Sequence, residues 1–182
     1  ALEWSEALLP VFHTLMEMSS DGLIDWSRVT FIDLSEGSGA SSQTSRSIKN
    51  DFFACTEVFR QQILSPDLTL TPEDSAAEYE QRLSACGGID LALIGLDYGS
   101  TLSDTPECSF RRWEDGTFTV RAGYKHILCA GKVIAPGAGS TLRSAAEKIA
   151  LRTIDPLDWR SMLQININVY ILLDNEAVQG LS

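Results

Sequence analysis

Apolar residues recur at helical spacing in three parts of the chain, and this pattern predicts three helices. The first covers residues 1–18, where Pro10 bends or interrupts it. The second covers 47–64, and the third runs over 71–86 to a glycine pair. Thr71 begins the third as its N-cap, followed by a proline and two acidic residues. Each helix therefore has an apolar side that can pack on a sheet.

Short apolar runs between the helices predict strands. Residues 89–94 are hydrophobic almost continuously, which is typical of a parallel strand covered on both faces. Further strands are predicted over 29–34, 117–120, part of 126–135 and 169–173. Further helices are predicted over 142–151, around residues 159–162 and as a turn over 174–178. Because strands and helices alternate, the sequence predicts an α/β layered fold in one domain over 1–182.

Composition narrows the classes of partner. Of 182 residues, 44% are hydrophobic and 21% are charged, which is typical of a globular protein. The net charge of −11 argues against nucleic acid and against an anionic membrane surface, since both would repel the chain. No apolar run approaches the roughly 18 residues that a spanning helix needs.

The cysteines and histidines give no ligand pattern. The four cysteines are far apart and predict buried, reduced thiols in the cytoplasm or another reducing compartment. Only His13 and His126 are present, and no ligands are clustered in the sequence. We therefore expect no metal site, and no cofactor is indicated.

Polar residues after two predicted strands are the candidate site residues. Glu36 lies in the glycine- and serine-rich segment 35–42, which is predicted to be a loop after the strand 29–34. The carboxyl end of the strand 89–94 leads to further candidates, namely Asp97, Ser100, Ser103 and Asp104. The alternative for these residues is ordinary loop and cap chemistry.

A glycine turn offers a candidate phosphate site. Backbone N–H groups and hydroxyls of the turn before the helix 142–151 could bind a phosphate. Its residues are Gly137, Gly139, Ser140 and Thr141. A tight turn without a ligand explains the same residues, since no lysine follows in the P-loop manner.

The stretch 88–110 resembles a known family signature. It reads Gly-Ile-Asp-Leu-Ala-Leu-Ile-Gly-Leu-Asp-Tyr-Gly-Ser from Gly88 and continues through Pro106 to Phe110. This frame is similar to the signature of the glucosamine-6-phosphate deaminase and 6-phosphogluconolactonase family. Segments at 22–31 and 172–177 resemble the same family in the same order. The resemblance implies a Rossmann-like, mostly parallel sheet flanked by helices and a sugar-phosphate ligand.

Three departures from the family pattern change the expected activity. The family's D-G-H triplet reads Tyr98-Gly99-Ser100 here, and a serine hydroxyl cannot replace imidazole as a proton shuttle. The family's acidic pair falls at Ser35 and Glu36, so one carboxylate is retained. We expect no counterpart of the family's first strand and phosphate loop within residues 1–182. The sheet is then expected to lack the usual N-terminal strand, its position vacated, rebuilt or filled by another chain.

These departures favour a divergent relative that lacks the usual catalysis, a pseudoenzyme acting in binding or assembly. The partners this implies are a sugar phosphate and either another protein or a second copy of the chain. The alternative is an active sugar-phosphate isomerase, deaminase or lactonase whose catalytic residues are rearranged. In that case Glu36, Asp97 and Asp104 would do the chemistry, and the Gly137 turn would hold the phosphate.

Overall fold

The computed structural model describes residues 1–96, 102–151, 154–155 and 158–179. Its α-helices are α1 Leu9–Ser20, α2 Gln43–Ala54, α3 Pro72–Ala85, α4 Tyr124–Leu128, α5 Arg143–Ala150 and α6 Trp159–Met162. Its strands are β1 Phe31–Ile32, β2 Ser35–Gly37, β3 Ile63–Leu64, β4 Leu91–Leu93, β5 Ser109–Arg112, β6 Phe118–Arg121, β7 Lys132–Gly137 and β8 Val169–Leu173. Parallel strands flanked by helices confirm the predicted α/β class.

The parallel strands form two groups that the first residues of the chain join. β1 pairs with β3, and β4, β7 and β8 pair in that order. Leu2 forms parallel bridges with Asp33 on one side and Leu93 on the other, and its N–H donates to Ile32 at 2.8 Å. The spatial order is therefore β3, β1, residues 1–4, β4, β7, β8.

This arrangement corrects one prediction and decides between the alternatives of another. The predicted helix over 1–18 starts only at Leu9, with Pro10 in its first turn, and residues 1–4 are extended. They are extended because backbone groups of β1 and β4 pair with them from both sides. The strand position that we expected to be vacated, rebuilt or filled by another chain is thus rebuilt from the chain's own residues.

The second sheet also departs from prediction. Residues 35–42 were predicted to be a loop, but Ser35–Gly37 forms β2 and pairs antiparallel with β6, which pairs with β5. The helix predicted over 47–64 ends at Ala54. The last two residues of the predicted range, Ile63 and Leu64, form β3 instead. In both cases a partner strand distant in sequence determines the conformation.

The core has two clusters of buried side chains. One is aromatic and gathers around Phe52 and Trp4, and the other includes Tyr79 of α3 and residues of both sheets. All four cysteines are free, as predicted, but Cys55, Cys86 and Cys129 are exposed and Cys108 is half-buried. The expected burial of the thiols is therefore wrong. Among the described helices, none has the length and apolar character needed to cross a membrane.

Candidate functional site

The carboxyl ends of the parallel strands meet at one edge of the sheet, which we call the carboxyl edge. In open α/β folds, ligands bind beyond this edge. Asp33 and Glu36 follow β1, Ser5 follows the extended residues 1–4, and Gly95 follows β4. The candidate site is therefore built from three neighbouring strand positions.

Asp33 is a fully buried carboxylate at the carboxyl edge. One of its oxygens accepts the indole N–H of Trp4 at 2.7 Å. The other accepts the hydroxyl of Ser65 and pairs with the Lys49 ammonium at 3.0 Å. The phenol of Tyr79 donates to the backbone carbonyl of Asp33. These donors offset the cost of removing the carboxylate from water, and they tie the segment of Asp33 to four other segments of the chain.

Lys49 links Asp33 to Glu36, the carboxylate that the sequence offered as a catalytic group. The Lys49 ammonium hydrogen-bonds a Glu36 carboxylate oxygen, and the two side chains are only 16% and 12% exposed. Burial disfavours the charged form of Lys49, but the Asp33 and Glu36 carboxylates outweigh it and raise the pKa of Lys49. Glu36 is consequently held in a half-buried ion pair.

Glu3 is a second buried carboxylate at this edge, and the sequence analysis missed it. Its side chain accepts the backbone N–H of Gly95, which lies shortly after the end of β4. A single acid between the apolar residues Leu2 and Trp4 is a sequence signal that could have identified it. All three residues are buried in the structure. The prediction of a helix over 1–18 concealed that signal.

Arg121 is a mostly buried cation that the sequence analysis also missed. β6 places it directly opposite Ser35 of β2. Its side chain is 16% exposed, and one guanidinium nitrogen lies 3.5 Å from the exposed carboxylate of Asp104. Its Nε atom is buried and has no hydrogen-bond partner in the described part of the chain. A guanidinium N–H left in this state can bind an anion.

The structure places the predicted catalytic residues unequally. Glu36 forms an ion pair with Lys49, and Asp104 forms one with Arg121. Both pairs are at the same end of the β2–β6 pair. Asp97 and Ser100 fall outside the described residues, as does Tyr98. Ser103 is fully buried, and its hydroxyl hydrogen-bonds the hydroxyls of Thr105 and Ser109. Ser103 is thus part of the loop's internal structure.

Both histidines lie away from the ion-paired network of Asp33, Lys49 and Glu36. His126 is on α4 and contacts Glu80 of α3 at 3.0 Å. His13 is exposed on α1. Among the residues with described positions, no imidazole contacts that network.

The glycine turn predicted to bind phosphate has an internal partner. The N–H of Gly139 donates to both carboxylate oxygens of Asp174 at 3.1 Å. Hydrogen bonds from the backbone of Ala177 and Gly139 lower the pKa of Asp174. Gly137 is needed for close packing, because a Cβ there would lie 2.5 Å from Leu142 and 2.9 Å from Leu96. A phosphate at Gly137, Gly139, Ser140 and Thr141 remains a prediction, and it would compete with this carboxylate.

A cleft of about 830 Å³ opens beside β3 at the carboxyl edge. Glu36 and Lys49 line it from one side. Its other charged and hydroxyl-bearing lining residues are Arg60, Ser65, Asp67, Thr69 and Arg82. Three cations and two acids line the cleft, and two of the cations have further acidic partners, because Lys49 also pairs with Asp33 and Arg82 pairs with Glu78.

Metal-binding potential lies elsewhere. In the described ranges, the group of side chains that could jointly hold a metal ion is Glu80, Cys108 and His126. These residues belong to α3, the segment before β5, and α4, and none of them lines the cleft beside β3.

Comparisons with known proteins agree with this fold. No family model matches the chain. Glucosamine-6-phosphate deaminase of Clostridium botulinum (strain Loch Maree / Type A3) is 22% identical over 200 aligned positions, covering 94% of this chain and 82% of the relative. The deaminase of Clostridium perfringens (strain 13 / Type A) is 24% identical, covering 93% and 81%.

Solved structures give the same picture. A monomeric glucosamine-6-phosphate deaminase superposes with a TM-score of 0.81 at 17% identity, over 97% of this chain and 86% of that one. The 6-phosphogluconolactonase of Leishmania guyanensis gives 0.74 at 19% identity, over 100% and 85%. The chain is a divergent relative of the glucosamine-6-phosphate deaminase and 6-phosphogluconolactonase family, whose fold it shares.

Proposed function

We propose that this chain binds a sugar phosphate at the carboxyl edge and acts in binding or assembly, without the deamination, isomerisation or lactone hydrolysis of its relatives. The observation that carries the proposal is the ion pair between Glu36 and Lys49. By resemblance, Glu36 is the one carboxylate of the family's acidic pair that this chain retains for proton transfer, and the ion pair occupies it. A base must reach the proton that it abstracts, and Glu36 is instead paired with the half-buried ammonium of Lys49.

The remaining proton-transfer groups support the same conclusion. By resemblance, catalysis in the family uses the histidine of the D-G-H triplet together with an acidic pair. Here Ser100 stands at the histidine position and Ser35 at one acidic position. Neither hydroxyl titrates near neutrality, so neither can take over an acid–base role without another base.

Binding is supported by the cations that line the cleft beside β3, which are Lys49, Arg60 and Arg82. Lys49 and Arg82 already have carboxylate partners, whereas Arg60 is exposed and forms no ion pair within the described part of the chain. Guanidinium groups suit phosphate because they donate two parallel hydrogen bonds. Hydroxyl groups on the same wall can pair with sugar hydroxyls.

Catalysis is tested directly by assaying the purified chain with glucosamine-6-phosphate and with 6-phosphogluconolactone. We expect no turnover above the uncatalysed rate, and no change in Glu36→Gln. Turnover that Glu36→Gln abolishes would refute the proposal and establish the active-enzyme alternative.

Binding is tested by thermal shift with a panel of sugar phosphates. A ligand at 100 times its Kd should raise Tm by about 5–10 °C. Arg60→Ala and Arg82→Ala should reduce this shift, whereas Arg112→Ala should keep it, because Arg112 pairs with Glu73 away from the cleft. No shift with any member of the panel would contradict sugar-phosphate binding. Stabilisation by a protein partner alone would leave assembly as the role.

An active enzyme is the second candidate, because the curated relatives that match 93–94% of this chain are named deaminases. It would use Glu36, Asp97 and Asp104, with the glycine turn binding the phosphate. Ligand stabilisation that is lost in Gly137→Ala or Asp97→Asn, but kept in Arg60→Ala, would favour this candidate.

A further inference from the structure

A cluster of metal-binding side chains lies on the face of the molecule formed by α3, β5 and α4. Glu80, Cys108 and His126 each offer a ligand atom, and these three atoms lie within 4.8 Å of one another. The Nε2 atom of His126 is 3.0 Å and 3.2 Å from the two carboxylate oxygens of Glu80. All three residues are half-buried.

We propose that Glu80, Cys108 and His126 form a zinc site. Thiolate, imidazole and carboxylate are the three protein ligands that Zn²⁺ prefers, at bond lengths of about 2.0–2.3 Å. Around a tetrahedral ion, such ligand atoms are roughly 3.3–3.6 Å apart. The cluster therefore needs only small side-chain rotations to close around the ion.

The charge at the cluster suits a divalent cation. Lys125 now supplies the positive charge, with its ammonium 2.8 Å from one Glu80 oxygen and 3.6 Å from Glu107. When Zn²⁺ binds, the Cys108 thiol gives its proton to the buffer and the sulfur–zinc bond forms, with no change of oxidation state. The ion, the thiolate and the Glu80 carboxylate then sum to zero, and Lys125 can move into solvent.

The fourth coordination position is accessible. Glu80 and Cys108 also line a cleft of about 530 Å³, so water can reach the ion. Three protein ligands plus water is a coordination set found for zinc. The sequence could not reveal the site, because the ligands are separated by 28 and 18 residues and only the packing of α3 against β5 and α4 brings them together.

The experiment is a zinc titration of the purified chain after chelator treatment and desalting, in competition with a chromophoric chelator. We expect one equivalent to bind. Cys108→Ser and His126→Asn should each weaken binding by more than the roughly 10- to 100-fold that changes outside the first ligand shell cost. A Co²⁺ titration should give a sulfur-to-metal charge-transfer band that is missing in Cys108→Ser.

Two matched variants make the test specific. Cys129→Ser should leave the affinity unchanged, because this exposed thiol lies close to His126 in sequence but outside the cluster. Lys125→Ala should keep or tighten binding, since it removes the competing cation. Circular dichroism of the metal-free variants confirms that each is folded. The proposal is overturned if the chain binds less than one equivalent, if Cys108→Ser binds as tightly as the parent, or if Cys129→Ser is the variant that loses affinity.

Discussion

Asp33 links more segments of the chain around the candidate site than any candidate residue that we chose from the sequence. Its carboxylate is fully buried and bound by Trp4, Lys49 and Ser65, and its carbonyl accepts the Tyr79 phenol. The sheet edge, α2 and α3 are thereby tied to one side chain. Such a group stabilises the fold only while its charge remains paired.

We expect Asp33→Asn to lower the free energy of unfolding by about 3 kcal/mol. An amide places N–H groups against some of the donors that now face a carboxylate, and it leaves Lys49 with Glu36 alone. Urea denaturation at neutral pH measures the loss. The pKa of Lys49 is raised, so the stability that its protonation contributes is fully present at neutral pH and is lost as the pH rises beyond the ordinary lysine value of 10.5.

Asp25→Asn is the matched control for that substitution. Asp25 is exposed and accepts hydrogen bonds only from the backbone and the side chain of Ser27 in a local turn, which asparagine can also do. Its effect should stay within about 0.5 kcal/mol. Equal stability of Asp33→Asn and the parent chain would show that the buried network contributes nothing.

Residue identity alone could predict only part of this site. Glu36 was identifiable because a carboxylate after a buried strand is a recognisable pattern. Asp33 gave a weaker signal, a single acid within an apolar run, and its partners Lys49 and Ser65 come from other elements. Arg121 gave no signal, because its position beside Ser35 depends on strand pairing over more than 80 residues.

At the scale of elements, prediction succeeded where the determinants are local. α3 runs from Pro72 to Ala85, close to the predicted 71–86, because its start is encoded by adjacent residues. The hydroxyl of Thr71 accepts the N–H of Asp74 at 3.2 Å, and proline occupies the first turn. Acids in that turn complement the positive end of the helix dipole.

Thr71→Ala should therefore destabilise the protein by about 1 kcal/mol, because one N–H of the first turn loses its partner. Chemical denaturation measures the change. Thr14→Ala is the control. Thr14 is exposed and lies in the middle of α1, and its hydroxyl donates to the carbonyl of Pro10 in the same helix. Alanine is a better helix former there, so we expect no loss of stability. Equal losses in the two variants would argue against the capping role.

Prediction failed for the elements whose conformation depends on pairing with a strand distant in sequence. Apolar spacing continued past Ala54, yet the chain leaves the helix there and reaches β3, which pairs with β1. The glycine- and serine-rich segment 35–42 has loop composition, but β6 supplies a hydrogen-bonding edge to Ser35–Gly37. Local propensity is a weak preference, and tertiary pairing overrides it.

At the scale of the whole molecule, residues 1–4 hold the parallel sheet together. The carbonyl of Leu2 accepts from Leu34, and its N–H donates to Ile32 on the same side. On the other side, Glu3 donates to Leu93. Without this segment β1 and β4 would each expose an unpaired edge, with backbone groups that need partners.

Substitutions at Leu2 can separate the stability contributed by its buried side chain from the stability contributed by its backbone hydrogen bond. Leu2→Ala removes a side chain that is 6% exposed and should cost about 2–5 kcal/mol. Leu2→Pro also removes the N–H that bonds Ile32, so it should cost more. Leu23→Ala, at a side chain that is 68% exposed, is the control and should change stability by less than about 0.5 kcal/mol.

Hydrogen exchange of Leu2→Pro tests whether these residues join the two halves of the sheet. The amides of Leu34 and Leu93, which donate to Leu2 and Ala1 on opposite sides, should lose protection together. The amide of Val133, which donates to Asn168 on the far side of β7, should stay protected, because the β7–β8 pair does not depend on this segment. If only Leu34 exchanges faster, residues 1–4 extend the β1 side and do not join it to β4.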